Sequence, residues 1–276
     1  FHNRLSLDVT YYNQSSKNQI IGLASSSTSG YNYRLINAGE IQNKGIEIAL
    51  NGRALQIKDF AWDFGINFSK NSNKVKSLTD GMDYFEIEKA MWCNVSVGAE
   101  VGKNFGSIVA PDFKRNANGD ILINGETGMP IYDETPRTIG NATWDWTGGF
   151  YHTLSYKNFR LSAAFDVKVG ADIFSMSMRS AFQTGKAPET LEGRAEWYSS
   201  EEMRMAAGKT IDEWRAMGNC KGFLAPGVIE NADGTFRPND IPIDPQTYWE
   251  SVSRNAPSMF VYDNSYVKCR EITFGY

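Results

Sequence analysis

The sequence predicts an all-β protein, a transmembrane antiparallel β-barrel with long, partly helical extracellular loops. Three observations carry this. Apolar and polar residues alternate over runs of about ten residues, the length a tilted strand needs to cross a bilayer. Aromatic residues stand at the ends of such runs, where a barrel meets the membrane–water boundary. The connections between runs are by turns very short and very long, like the two ends of a bacterial outer-membrane barrel.

The organising stretch is Trp144–Val169. Phe159, Leu161, Ala163, Phe165, Val167 and Val169 alternate with Arg160, Ser162, Ala164, Asp166 and Lys168. Side chains alternate faces along a strand, so one face is apolar and the other polar. The strand before it places Phe150, Leu154 and Tyr156 on one face, and His152 interrupts that row. Lys157–Asn158 is the turn, flanked by Tyr156 and Phe159.

Taken in order, the first strand carries Leu5, Leu7, Val9 and Tyr11 against Ser6, Asp8, Thr10 and Tyr12. Residues Asn13–Tyr33 are rich in Ser, Asn and Gly and read as a loop. Ile46, Ile48 and Leu50 mark a second strand, and Gly52–Asp59 a short connection. Phe60, Trp62, Phe64, Ile66 and Phe68 face one way in the third, with Asp63 and Asn67 opposite. Met91–Val97 and Phe105–Ala110 are the next strand candidates, and Asn118–Gly119 a small hairpin turn in the polar stretch Lys114–Thr143. Gly170–Phe260 is far longer than an ordinary connection. Ser200 and the pair Thr210/Glu213 read as helix starts there. Pro226, Pro238, Pro242 and Pro245 argue against long regular elements after them. Ile272, Phe274 and Tyr276 form the last strand. The acids opposite the apolar rows, Asp8, Glu47, Asp63, Asp166 and Glu271, are ordinary if they face a wet lumen and costly if they face lipid.

Composition excludes several classes. The 276 residues carry a net charge of −4, which offers no basic footprint for nucleic acid. No run of eighteen apolar residues exists, so no transmembrane helix is expected, which leaves a barrel open. Cys93, Cys220 and Cys269 are far apart and without CxxC spacing, so isolated thiols are expected and a zinc site is not. Only His2 and His152 occur, both in strand patterns, and no HExxH or Ser/His/Asp arrangement is available; no enzyme is expected. The glycines around Lys103 are one residue short of a phosphate loop and lack its Ser/Thr. No cofactor is expected. The chain begins and ends inside strand patterns and is expected to be an internal part of a longer protein, so a missing signal peptide says nothing of compartment.

The candidate binding residues are aromatics outside the strands: Trp144, Trp146, Trp197, Tyr198, Trp214, Tyr248 and Trp249. A sugar ring offers an apolar C–H face to an aromatic plane, and aromatics dominate protein interfaces. The competing expectation is that they pack the core of a long loop. Tyr248 and Trp249 are singled out because they follow the rigid Pro242–Pro245 stretch.

Several stretches together resemble the C-terminal half of the barrel of SusC/RagA-type TonB-dependent outer-membrane transporters: NRLSLDVTYYNQSSKNQI, LINAGEIQNKGIEIALNG, FAWDFGINFSKNSNKVKSL, the run from Ile139 to Met176, PIDPQTYW and YDNSYVKCREITFGY. Asn37–Ile41 with Asn43–Gly45 is the most telling. The resemblance implies that residues 1–276 are part of a plugged barrel of about 22 strands, with 170–260 a long extracellular loop. It implies an outer-membrane location, energy from the TonB complex through a part of the protein outside this chain, a SusD-like lipoprotein as lid, and a large glycan or peptide as substrate. Family members often carry an Asp-x-Asn-Gly-Asp-Gly loop resembling a calcium site; Asn116–Ile121 lacks its first acid and second glycine, so no metal is expected. Arg204–Cys220 looks like an insertion. The alternative reading is a β-rich surface module that binds a glycan or protein without transport, its apolar faces buried against a second sheet.

Overall fold

The computed structural model describes residues 4–24, 33–79 and 81–276, and of 19–24 and 33–38 the backbone alone. In chain order the strands begin with β1 (Leu5–Ala24), β2 (Tyr33–Ile57) and β3 (Phe60–Ser77). A group of shorter strands follows: β4 (Tyr84–Lys89), β5 (Ser96–Glu100), β6 (Phe105–Phe113), β7 (Leu122–Ile123) and β8 (Tyr132–Asn141). Then come β9 (Trp146–Tyr156), β10 (Phe159–Val169) and β11 (Asp172–Phe174). The helices α1 (Met176–Gln183), α2 (Arg194–Ala206) and α3 (Ile211–Ala216) precede β12 (Val228–Glu230) and β13 (Phe236–Pro238). The helix α4 (Pro245–Asn255) and the strands β14 (Val261–Asp263) and β15 (Tyr266–Gly275) complete the chain.

One antiparallel sheet, in the order β1-β2-β3-β9-β10-β15, is the framework. Its register aligns the alternating residues into rows. Leu7, Leu50, Ile66, Phe150, Phe165 and Cys269 lie side by side on one face, and Val9, Ile48, Phe68, Gly148, Val167 and Val267 form the next row. Where the tight turns lie, the same face ends in Phe60, Tyr156 and Phe159, with Tyr276 4.9 Å from Phe159 between ring centroids. The opposite face is polar. Arg53 Nε donates to Asp63 Oδ1 at 2.7 Å, Tyr151 Oη to Asn51 Oδ1 at 2.8 Å, and Arg270 to Asp166. Gly65 is required there, because a Cβ would stand 2.2 Å from the Tyr151 ring.

Among the described residues no second sheet covers the apolar face; Leu7, Val9, Ile66, Leu161, Val267 and Phe274 all stand exposed. That separates the architecture from a soluble sandwich, which would bury this face. Within these residues the sheet is open, with β1 and β15 at its edges.

Two of the sheet's three register shifts show how bulges keep the faces in phase. Arg53 pairs with Asp63 and Leu55 with Trp62, which leaves Ala54 without a partner. The extra residue returns Leu55 and Ile57 to the apolar face. On β15, Cys269 pairs with Phe165 and Glu271 with Ala164, so Arg270 is the extra residue. This bulge aims both Arg270 and Glu271 at the polar face while Val267, Ile272 and Phe274 stay apolar.

Several expectations are corrected. Of the expected loop Asn13–Tyr33, residues 13–24 belong to β1 and Tyr33 starts β2, while 25–32 lie outside the described residues. Polar residues on both faces look like loop in sequence, yet their backbone groups are paired across the ladder. The Gly52–Asp59 connection shrinks to a turn at Lys58–Asp59. Met91–Asn94 is a turn between β4 and β5, with Trp92 at φ +61°, rather than part of a strand. Ser200 lies inside α2, whose N-cap is Gly193. Pro245 starts α4 at its first turn, where proline costs no hydrogen bond, and Asp244 caps it by accepting from Gln246 N and Thr247 N. The Thr210/Glu213 capping box is present.

The two tight turns lie together at one end of the sheet, where Lys157 N donates to Asp59 O at 3.1 Å. The β1–β2, β3–β9 and β10–β15 connections leave from the other end.

Candidate substrate-binding cap

The β3–β9 and β10–β15 connections fold together into one cap. Its core joins Phe113 and Ile123 from the first connection to Phe182, Phe223, Ile243, Tyr248, Trp249, Val252 and Phe260 from the second. Aromatic contacts fill it: Tyr248 lies 4.7 Å from Phe223 and 4.8 Å from Trp249, and Phe182 lies 4.7 Å from Trp249. Polar links tie the halves. Ser258 Oγ donates to Asp112 Oδ1 at 2.6 Å, and Arg137 pairs with the same carboxylate. Burial would push the Asp112 carboxyl up, but Ser258 and Arg137 together hold it below its ordinary value. Arg179, buried beside the end of α4, donates to Ser253 O at 2.8 Å and to Trp92 O at 3.4 Å. That second bond holds the β4–β5 turn against α1.

The structure scatters the seven candidate aromatics. Tyr248 is 2 % exposed, Trp249 6 % and Trp214 7 %. The burial of Tyr248 and Trp214 favours packing over direct ligand contact. Tyr248 sits inside the aromatic core, and burial pushes its phenol well above the ordinary value. Trp214 Nε1 is spent on Ser200 Oγ at 3.0 Å. Trp197 is partly buried against Gly222. Trp144 and Trp146 part company: Trp146 lies beside Phe68 on the apolar face, at 5.7 Å, whereas Trp144 meets Tyr266 edge-on at 5.7 Å with Lys168 Nζ 5.4 Å from its ring. Tyr266 and Lys168 pair directly on the polar face. Tyr198 alone of the loop group is well exposed, at 57 %.

Tyr198 and Trp249 help line a cavity of about 370 Å³ between α1, α2 and α4. Gln183, Thr190, Arg194, Asp244, Gln246 and Glu250 supply its polar wall. Sequence reasoning missed Gln183, Arg194 and Gln246, which belong to no motif and become neighbours only when three helices pack. A second hollow of about 740 Å³, against β4, β5, β6 and β8, meets a third of about 520 Å³ at Arg137 and Thr138. Among the described residues no cluster of His, Cys, Asp and Glu has the form of a metal site. Cys93, Cys220 and Cys269 are free.

Residues 1–171 match the family of TonB dependent receptor-like β-barrels. TonB-dependent receptor P3 of Formosa agariphila is 25 % identical over the whole of this chain, which spans 26 % of that protein. TonB-dependent receptor SusC of Bacteroides thetaiotaomicron is 38 % identical over 145 residues, 46 % of this chain and 14 % of SusC. Among solved structures, the RagAB peptide transporter superposes with a TM-score of 0.50 at 22 % identity, over 63 % of this chain and 20 % of that one, a likeness of fold. The chain thus spans about a quarter or less of these curated relatives. With six strands in barrel register and a matched model over more than half its length, the chain belongs to the TonB-dependent receptor β-barrel family.

Proposed function

We propose that this chain is part of an outer-membrane, TonB-energised importer of a large nutrient, a glycan or peptide, working with a SusD-like surface lipoprotein. The observation that carries the reading is the sheet with one uncovered apolar face and one polar face. Such a sheet is stable where lipid covers the first face and a wet lumen the second. The tight turns at Lys58–Asp59 and Lys157–Asn158 then lie at the periplasmic end, and the folded cap over the outer mouth. The relatives support the cargo class: one solved neighbour is a peptide transporter, and one curated relative is SusC.

Two measurements test this. The intact protein should sediment with the outer membrane and require detergent for release; solubility without detergent would favour a surface binding module. Any cut made by protease added to sealed cells should fall in the outer loops such as the 170–260 cap and spare Lys157. Cleavage at Lys157 would invert the topology.

A further inference from the structure

We propose that the cavity between α1, α2 and α4 is a subsite for one or two neutral sugar residues of a glycan. The proposal rests on the import reading above and narrows its cargo.

The cavity is built rather than incidental. Its walls come from the end of α1, the turn at Pro188–Leu191, the first half of α2 and the start of α4. Arg194 is clamped in it: one terminal nitrogen, Nη2, donates to Thr190 O at 3.1 Å, Thr190 Oγ1 at 3.1 Å and Gly185 O at 3.4 Å. Gly185 is at φ +67°, and a Cβ there would stand 3.0 Å from that nitrogen. Glycine therefore suits both the left-handed backbone and the close approach. Thr190, the anchor beneath, is buried.

The unspent groups define the ligand. Among the described residues only the Nη2 of Arg194 is engaged. Gln246 donates its amide to Glu250 Oε1 at 3.0 Å, which turns its carbonyl into the available acceptor. Gln183 adds a further amide and Tyr198 an exposed ring. Planar amide and guanidinium groups suit vicinal hydroxyls, each of which both donates and accepts. Tyr198 offers its exposed ring face to the apolar C–H side of a sugar.

Charge argues for a neutral ring. Arg194 in the lining and Arg254, paired with Glu250, stand against the two carboxylates Asp244 and Glu250, so the charges of the site balance. Both acids are engaged locally, Asp244 by the backbone of α4 and Thr247, Glu250 by Gln246 and by Arg254 at 3.6 Å. A uronate or a peptide carboxylate would add a charge with no uncompensated cation to meet it. The size agrees, since about 370 Å³ lies at the small end of ligand-holding cavities, roughly 300–1,000 Å³.

The test is isothermal titration of the full-length transporter in detergent. The probes are neutral oligosaccharides from dextran, mannan, xylan and galactan, beside oligogalacturonate and a tryptic digest of casein. Neutral oligosaccharide from at least one source should bind, and Tyr198→Ala and Gln183→Ala should each weaken it about tenfold, the scale of one stacking or hydrogen-bond contact. Both variants should keep the protease resistance of the cap, since neither side chain is part of its core. The proposal is overturned if no neutral oligosaccharide binds, if both variants bind it like the parent, or if only oligogalacturonate or peptide binding responds to them. TonB-dependent uptake of whatever cargo the parent takes, undiminished in both variants, would sink this subsite while leaving the import reading in place.

Discussion

Truncating Tyr248 separates packing from ligand contact. Tyr248 is 2 % exposed and lies against Phe223 and Trp249, with centroid distances of 4.7 and 4.8 Å. Tyr248→Ala removes the ring from a site with little room to collapse. Large-to-small changes of this kind cost about 3–5 kcal/mol, of which each lost aromatic pair accounts for about 0.5–1.5. The loss falls on the cap, because Tyr248 belongs to the cap core while the six-stranded sheet is held by its own ladder. Limited proteolysis of the purified transporter reads the effect, with heat-modifiable migration on gels as the check on the barrel. Cleavage within residues 170–260 should accelerate by two orders of magnitude or more, as about 3 kcal/mol implies. The barrel should stay folded. Parent-like protease resistance with lost ligand binding would refute the packing role and restore Tyr248 as a contact.

Other outcomes follow from the same geometry. Phe165→Arg, in the middle of the apolar face between Phe150 and Cys269, should cost about 2–4 kcal/mol and lower the amount of folded barrel in the membrane. The same change at Ala49 on the polar face should stay within about 0.5 kcal/mol, and equal effects at both sites would remove the distinction between the faces. Cys269 lies on the apolar face, so a charged, water-borne maleimide should leave it unmodified in intact cells; labelling at the rate of an open thiol would put that face in water. The folded Asp112 carboxyl is held below its ordinary value, so its contribution to cap stability is present above the unfolded value, about pH 4, and lost as pH falls through the lower folded value. Pepsin resistance should fall in that acid window in the parent, and Asp112→Asn should remove this component; an unchanged acid profile in the variant would contradict it.

The strand phases at Phe60–Phe68 and Phe159–Val169 were legible because each run has five or more alternating residues with no interruption. The phase was lost at Ala54 and Arg270, where a bulge adds one residue and no side-chain pattern announces it. Asn13–Ala24 was illegible for another reason: its pairing is backbone to backbone, and its composition matches that of a loop. The helix start at Thr210 is written in side chains, Thr210 with Glu213, whereas α2 starts on the left-handed backbone of Gly193, for which Ser200 is a poor substitute. In the cap, aromatic content pointed to a core, and Tyr248 and Trp249 help supply it. The cavity went unseen because Arg194, Gln183 and Gln246 are brought together by helix packing alone.

The central claim is that one face of the sheet meets lipid and the other water. Nitroxide labels placed singly from Arg160 to Lys168 in the membrane-embedded protein test it directly, through accessibility to oxygen, which concentrates in lipid, and to a polar nickel complex, which stays in water. Labels at Leu161, Ala163, Phe165 and Val167 should favour oxygen, and those at Arg160, Ser162, Ala164, Asp166 and Lys168 the nickel complex, with a period of two residues. A flat profile, or low accessibility to both reagents at the four apolar positions, would show that face buried in protein and contradict the barrel.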